Sequence, residues 1–247
     1  MIFTEKLKVY MGKLALRVAI VIVVLFLYFF HRDWMREFLT AEILHSFNIL
    51  HIFWGLFMLI MLMHLFPSKF RSMGLLKMQE AHFVPVENYS EFDLLKYVQK
   101  QNQAAWMVLL VWLFLNGFWA LLYLIGIITE AELLLLSTLY FLCDYICILF
   151  FCPFQSKIMH NKCCVNCRIY DWGHFMMFTP MLFIKNFFSW SLFFMSLVVL
   201  IRWEIVYASH PERFWEGSNK TLQCVNCKDK TCQMKEKLAG RPRKAVL

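Results

Sequence analysis

The sequence predicts an all-α polytopic membrane protein: four transmembrane helices, then a C-terminal re-entrant or interfacial apolar hairpin, with a small cysteine-rich metal-binding module on the cytoplasmic face. Three observations carry that expectation. Hydrophobic residues make up 60% of the chain and charged residues 17%, against roughly 25% charged in an ordinary soluble domain. Several apolar runs approach or exceed the ~20 residues a helix needs to cross a ~30 Å hydrocarbon core. These runs are continuous rather than alternating, which argues against a transmembrane barrel. The letters CVNC occur twice, at Cys164–Cys167 and Cys224–Cys227, in polar sequence beside apolar runs.

Residues 1–13 form a basic start carrying Lys6, Lys8 and Lys13. The first apolar run, Leu14 to Phe30, passes directly into "HRDWMREF" without a small-residue cleavage site, so an uncleaved span is expected. The second run, Ile43 to Phe66, is long enough to cross with some tilt and is stopped by Pro67. Residues 67–103 are polar. Within them Ser90 stands three residues before Asp93, an acidic variant of the capping box, so an amphipathic helix is expected to lead into the third run, Ala104 to Ile128. "TEAE" (129–132) is a tight polar turn into the fourth run, Leu133 to Cys152, closed by Pro153. Residues 14–152 thus read as a four-span domain, followed by a cysteine-rich loop at 153–173.

Orientation follows from lysine and arginine. The "TEAE" turn has none, whereas the N-terminus and the loops at 67–103 and 153–173 carry several, which puts these three in the cytoplasm of a cell-membrane protein. The apolar stretch at 174–207 is ambiguous. Pro180 and Lys185-Asn186 interrupt it, and it is too short for two full crossings at ~1.5 Å per residue. The tail at 208–247 carries nine lysines and arginines against four acids. That favours a hairpin and a cytoplasmic tail over a fifth span and an external one.

Two cysteines spaced two apart can place both sulfurs on one cation, and two such pairs complete a tetrahedral site at ~2.3 Å per zinc–sulfur bond. The expected ligands are Cys164, Cys167, Cys224 and Cys227, with Cys163, Cys232 and His160 as substitutes and His174 as a further donor. Asn166 and Asn226 suit the turns. The basic residues that follow each pair, Arg168 and Lys228, are expected to lower thiol pKa. One site is compatible with the hairpin topology only. Zinc is the first choice of metal. Iron or an iron–sulfur cluster is the alternative, although no compact ferredoxin-type run is present.

Inside the bilayer an ionised Asp144 needs a partner or a proton. The second span offers His45, Asn48, His51 and His64, and the third offers Asn116. At ~1.5 Å per residue, His51, Asn116 and Asp144 fall at similar depth, so they form the expected polar cluster, either functional or merely fixing how the spans pack. His51 and His64 lie ~220° apart around a helix, a poor arrangement for paired haem ligands. There is no nucleotide-binding glycine loop, nucleophile-elbow serine or zinc-protease histidine pair.

Three function classes follow. One is a membrane scaffold or assembly protein with a structural zinc clamp. A second is a membrane redox protein with a cysteine-ligated iron centre. A third is a transporter or intramembrane enzyme using the His/Asn/Asp cluster. Expected partners are membrane lipids, with anionic head groups at the basic tail, and a protein partner or a second copy of the chain. The net charge of +8 serves the membrane surface, so no nucleic acid is expected.

Overall fold

A computed structural model describes residues 5–35, 49–67 and 72–232. His45, Asn48 and the end of the basic tail lie outside the described residues. The described chain forms seven α-helices and several short helical turns, with no strand. α1 is Glu5–Phe30, α2 Ile49–His64, α3 Met73–Leu76, α4 Glu91–Leu124, α5 Glu130–Leu149, α6 Gly173–Phe178 and α7 Phe187–Ser209. Four of them, α1, α4, α5 and α7, are long and apolar enough to cross a membrane, and the described part of α2 is a shorter apolar helix. Their outward faces carry large apolar side chains, including Phe29, Phe114 and Leu124, each more than 70% exposed. Such a surface is at home in lipid and costly in water.

Local chemistry sets the helix ends. Ser90 accepts a hydrogen bond from the Asp93 backbone at 3.3 Å, and from this cap the expected amphipathic helix and the third span run on as one helix of 34 residues. The "TEAE" turn closes through a full capping box: Thr129 N–H donates to Glu132 Oε2 at 2.6 Å, and Thr129 Oγ1 donates to the same carboxylate. The first helix begins earlier than the apolar pattern suggests. Lysine is a good helix former, Leu7 is fully buried, and Tyr10 packs on Tyr145 with ring centroids 6.0 Å apart, so the basic start is helix rather than a separate tail.

Side-chain pairs fix how the helices run. α1 and α5 are antiparallel, since Arg17 meets Asp144 at 2.8 Å while Tyr28 meets Glu132 at 2.8 Å. α2 and α7 are parallel: His51 packs on Phe188 at 5.0 Å, Trp54 donates to Ser191 at 2.8 Å, and Arg202 donates to the His64 carbonyl at 3.4 Å. α7 therefore returns toward the end of the bundle where α2 finishes.

The apolar stretch at 174–207 folds as an asymmetric hairpin, α6 packing against α7 through Phe175 and Phe193 at 6.1 Å. Its first arm is the 6-residue α6 followed by a 5-residue 3₁₀ turn, Thr179–Phe183. Its second arm, α7, has 23 residues and is capped by Asn186 Oδ1, which accepts from Phe188 N–H at 3.1 Å. The first arm goes far because it is not all α-helix. Its 3₁₀ turn rises ~2.0 Å per residue rather than ~1.5 Å, and Ile184 and Asn186 are extended.

One end of the bundle bears a cap built from three distant segments, 72–87, 159–172 and 211–232. Val86 N–H donates to the Ser218 carbonyl at 2.9 Å and Lys220 N–H to the Val84 carbonyl at 2.8 Å, making an isolated bridge between Pro85 and Asn219. Asp229 accepts from Met73 N–H at 2.9 Å, and Lys162 pairs with Glu216 at 2.7 Å. Trp203, Tyr207, Phe214, Met159, Ile169 and Trp172 form the buried core beneath.

Candidate functional site

The cap is organised around a buried lysine. Lys77 Nζ donates to the carbonyls of Val165 at 2.9 Å and Cys167 at 2.7 Å. The rings of Trp203, Phe214 and Tyr170 surround it at 5.1–5.8 Å. Burial lowers the Lys77 pKa to about 8 against the opposing pull of the Cys167, Cys163 and Asp171 fields, because a low-dielectric site disfavours the ammonium. Arg168 faces elsewhere. It is paired with Glu204 and lies over the Tyr207 ring at 4.3 Å, so the cation that meets the first CVNC turn is Lys77.

The cysteines divide into two environments. Cys167 is buried in the core, and desolvation pushes its thiol up to about 12. Cys163 is pushed up to about 11, first by burial and then by the neighbouring Cys164, Cys232 and Cys227. The neighbouring cations therefore do not leave these thiols acidic, since burial outweighs them. Cys163 and Cys227 pack together against Met73, Val165 and Leu222. Cys164 reaches Gln155 Oε1 at 3.3 Å and the Cys147 carbonyl at 3.5 Å. Cys224 is exposed on the outer turn. His160, exposed and at a φ of 50°, stands at a left-handed turn of the loop. The fold thus brings the two thiol-bearing segments to the same end of the bundle, with Cys163 and Cys227 against one small apolar cluster and Cys167 in the core, and among the described residues no three cysteine sulfurs lie within 4.8 Å of one another.

The intramembrane residues take separate partners. His51 stacks on Phe188. Asn116 is buried and donates to the Trp112 carbonyl of its own helix at 2.9 Å. Asp144 pairs with Arg17, whose guanidinium also lies over the Phe141 and Tyr145 rings at 4.0 and 3.9 Å. Arg17 reads from sequence as a flanking charge, yet it sits midway along α1. Its signal was available, because an arginine and an aspartate in spans joined by antiparallel packing are each other's cheapest partner.

Just beneath the cap lies a second polar group. His64, at the end of α2, places Nδ1 3.3 Å from Asp171 Oδ1. Its ring meets that of His174 edge-on at 4.7 Å. Among the described residues, His64, Asp171 and His174 are the one set of three or more His, Cys, Asp or Glu side chains whose ligand atoms all lie within 4.8 Å of one another. The stretch "YDWGH" explains the placement. A 3₁₀ turn, Tyr170–Trp172, runs into α6, so Asp171 and His174 fall three apart on one face. Gly173 between them allows a close approach, since a Cβ there would stand 2.8 Å from Asp144 Oδ1 and force that carboxylate to shift. The Arg17–Asp144 pair therefore abuts this cluster.

Further from the cap, α1, α2, α5 and the hairpin line a half-open apolar pocket of about 140 Å³, walled by Trp54, Phe57, Phe141, Met177 and Phe188. Comparison with protein-family models, with curated proteins and with solved structures finds no match to this chain.

Proposed function

We propose that this chain is a multi-pass membrane protein whose cap is a cysteine-ligated zinc clamp, holding the tail segment 211–232 against the loop after α5 and presenting a rigid docking surface for a partner protein. The observation that carries the reading is that Cys163, which immediately precedes the first CVNC turn, and Cys227 of the second turn pack against the same small apolar cluster of Met73, Val165 and Leu222. Cys232 and Cys164 also act on the Cys163 thiol through their fields, so an ion would have to draw these sulfurs together, and four of them would then make a closed site that leaves no position for chemistry. The clamp is therefore centred on Cys163, Cys227 and Cys232, completed by Cys164 or Cys224, with Cys167 as a core residue. The cap also carries Lys77, Lys162, Arg168, Arg213, Lys220, Lys228 and Lys230, whereas among the described residues the far end has Lys185 at the hairpin tip and Arg32, the latter tied to Glu132. This asymmetry favours a cytoplasmic cap against anionic lipid, in a compartment that keeps thiols reduced.

Metal analysis of purified protein tests the clamp. Wild type is expected to carry stoichiometric sulfur-bound zinc, Cys163→Ser with Cys227→Ser to lose it, and Cys167→Ser to retain it. Zinc that disappears with Cys167→Ser and survives the double substitution would disprove this assignment.

A further inference from the structure

We propose that His64, Asp171 and His174 form a second metal site, distinct from the thiol clamp, for a divalent transition-metal ion held between the bundle and the cap. Two imidazoles and one carboxylate are borderline donors suited to zinc or ferrous iron, and three protein ligands leave at least one coordination position open. The spacing already fits. Ligand atoms ~2.0–2.1 Å from a tetrahedral ion stand ~3.3 Å apart, and His64 Nδ1 lies 3.3 Å from Asp171 Oδ1. His174 completes the set by a small ring rotation, because its nearest ligand atom is within 4.8 Å of both.

The charge balance favours a cation. Asp171 is 6% exposed, and a buried carboxylate is costly without a compensating charge. Among the described residues its neighbour at 3.3 Å is the His64 ring, and no lysine or arginine lies within ion-pair distance of it, the buried Lys77 ammonium acting on it only from further away. Arg17, the nearby arginine, is committed to Asp144. A divalent ion bound by the two imidazoles and the carboxylate would supply the compensating charge directly at the ligand oxygen. The ligands come from the end of α2 and the start of the hairpin, so binding would tie these elements together. The His64 side chain is 18% exposed, so the site is not sealed.

Zinc X-ray absorption on metal-loaded, full-length wild type in detergent is the first test and needs no variant. A mixed shell is expected, with nitrogen and oxygen at ~2.0–2.1 Å, sulfur at ~2.3 Å and imidazole back-scattering. Zinc bound to sulfur alone would overturn the proposal. The second test is cobalt(II) titration of metal-stripped protein. Wild type is expected to bind one equivalent lacking sulfur-to-cobalt charge transfer. His174→Gln and Asp171→Asn should each weaken that equivalent at least tenfold and leave any charge-transfer band unchanged. Cys163→Ser with Cys227→Ser should remove the band and spare the nitrogen/oxygen site, so the clamp and this site fail separately. Unchanged cobalt stoichiometry in His174→Gln, with native tryptophan fluorescence, means the trio is only a hydrogen-bonded network.

Discussion

Gly173 shows how a single residue holds two polar groups in contact across the hairpin. Its Cα lies against the Asp144 carboxylate, and a Cβ would stand 2.8 Å from Oδ1, closer than unstrained packing permits. Gly173→Ala must therefore move Asp144, Arg17 or the first turn of α6, and overpacking of this kind costs ~1–3 kcal/mol. Thermal unfolding in detergent is expected to show that loss. Most of it should vanish when Asp144→Ala is already present, because the clashing oxygen is gone and neighbouring sites are not additive. A full penalty in the Asp144→Ala background would place the strain elsewhere. Lys77 is the other decisive single residue. In sequence it is one more lysine in a polar loop, whereas in the fold it is the donor that holds the carbonyls of the first thiol turn.

Among the elements, those governed by short-range rules were legible from sequence. Ser90 caps α4, and Thr129 with Glu132 caps α5, because the donors and acceptors lie within four residues. The hairpin was legible in outline only. Assuming a uniform α-helical rise makes the stretch look too short, and nothing in the letters "TPMLF" announces a 3₁₀ turn apart from Pro180. The His64–Asp171–His174 group escaped for a different reason. His64 and Asp171 are joined by tertiary packing alone, so no spacing rule links them, although the i, i+3 pair Asp171 and His174 was available. The surroundings of the thiols were half legible: spacing singles out the two turns, but cannot say that Cys167 faces the core and that Cys163 and Cys227 share an apolar cluster. At the hairpin tip, Asn186 is the element's key residue, capping α7 through Phe188 N–H. Asn186→Ala should cost ~1 kcal/mol and loosen the first turn of α7, whereas Asn186→Asp or Ser should be nearly neutral. Hydrogen exchange at Phe188 and its neighbours measures this, and equal protection in Asn186→Ala and wild type would show that the cap is dispensable.

Across the whole molecule, the helix directions and the cap impose one arrangement: α1 starts, α2 ends, α4 starts and α5 and α7 end at the same face. The cap that closes this face depends on groups that stay uncharged when folded, and this gives it a characteristic pH response. The Cys163 and Cys167 thiols titrate at about 11 and about 12 when folded, against an ordinary value of 9.0. A raised folded pKa means the folded state holds its proton longer than the unfolded state. The stability from these two thiols is therefore intact below ~pH 9 and is lost as pH rises through ~11 and ~12. Lys77 acts in the opposite sense. Its folded pKa of about 8 lies below the ordinary 10.5, so burying the ammonium weakens the cap below pH 8, and stability recovers as pH rises from there toward 10.5. Together the groups make the metal-free cap most stable near ~pH 9 and weaken it above that, since two thiols then lose stability while one lysine gains it. Fluorescence of Trp172 and Trp203, both buried in the cap core, should report the opening while helix content in the bundle persists. Cys163→Ser and Cys167→Ser should each flatten the alkaline limb, because serine does not ionise in this range. A pH-independent signal from 9 to 12 in metal-stripped protein would mean that these thiols face water, and the packing described for the cap would be wrong.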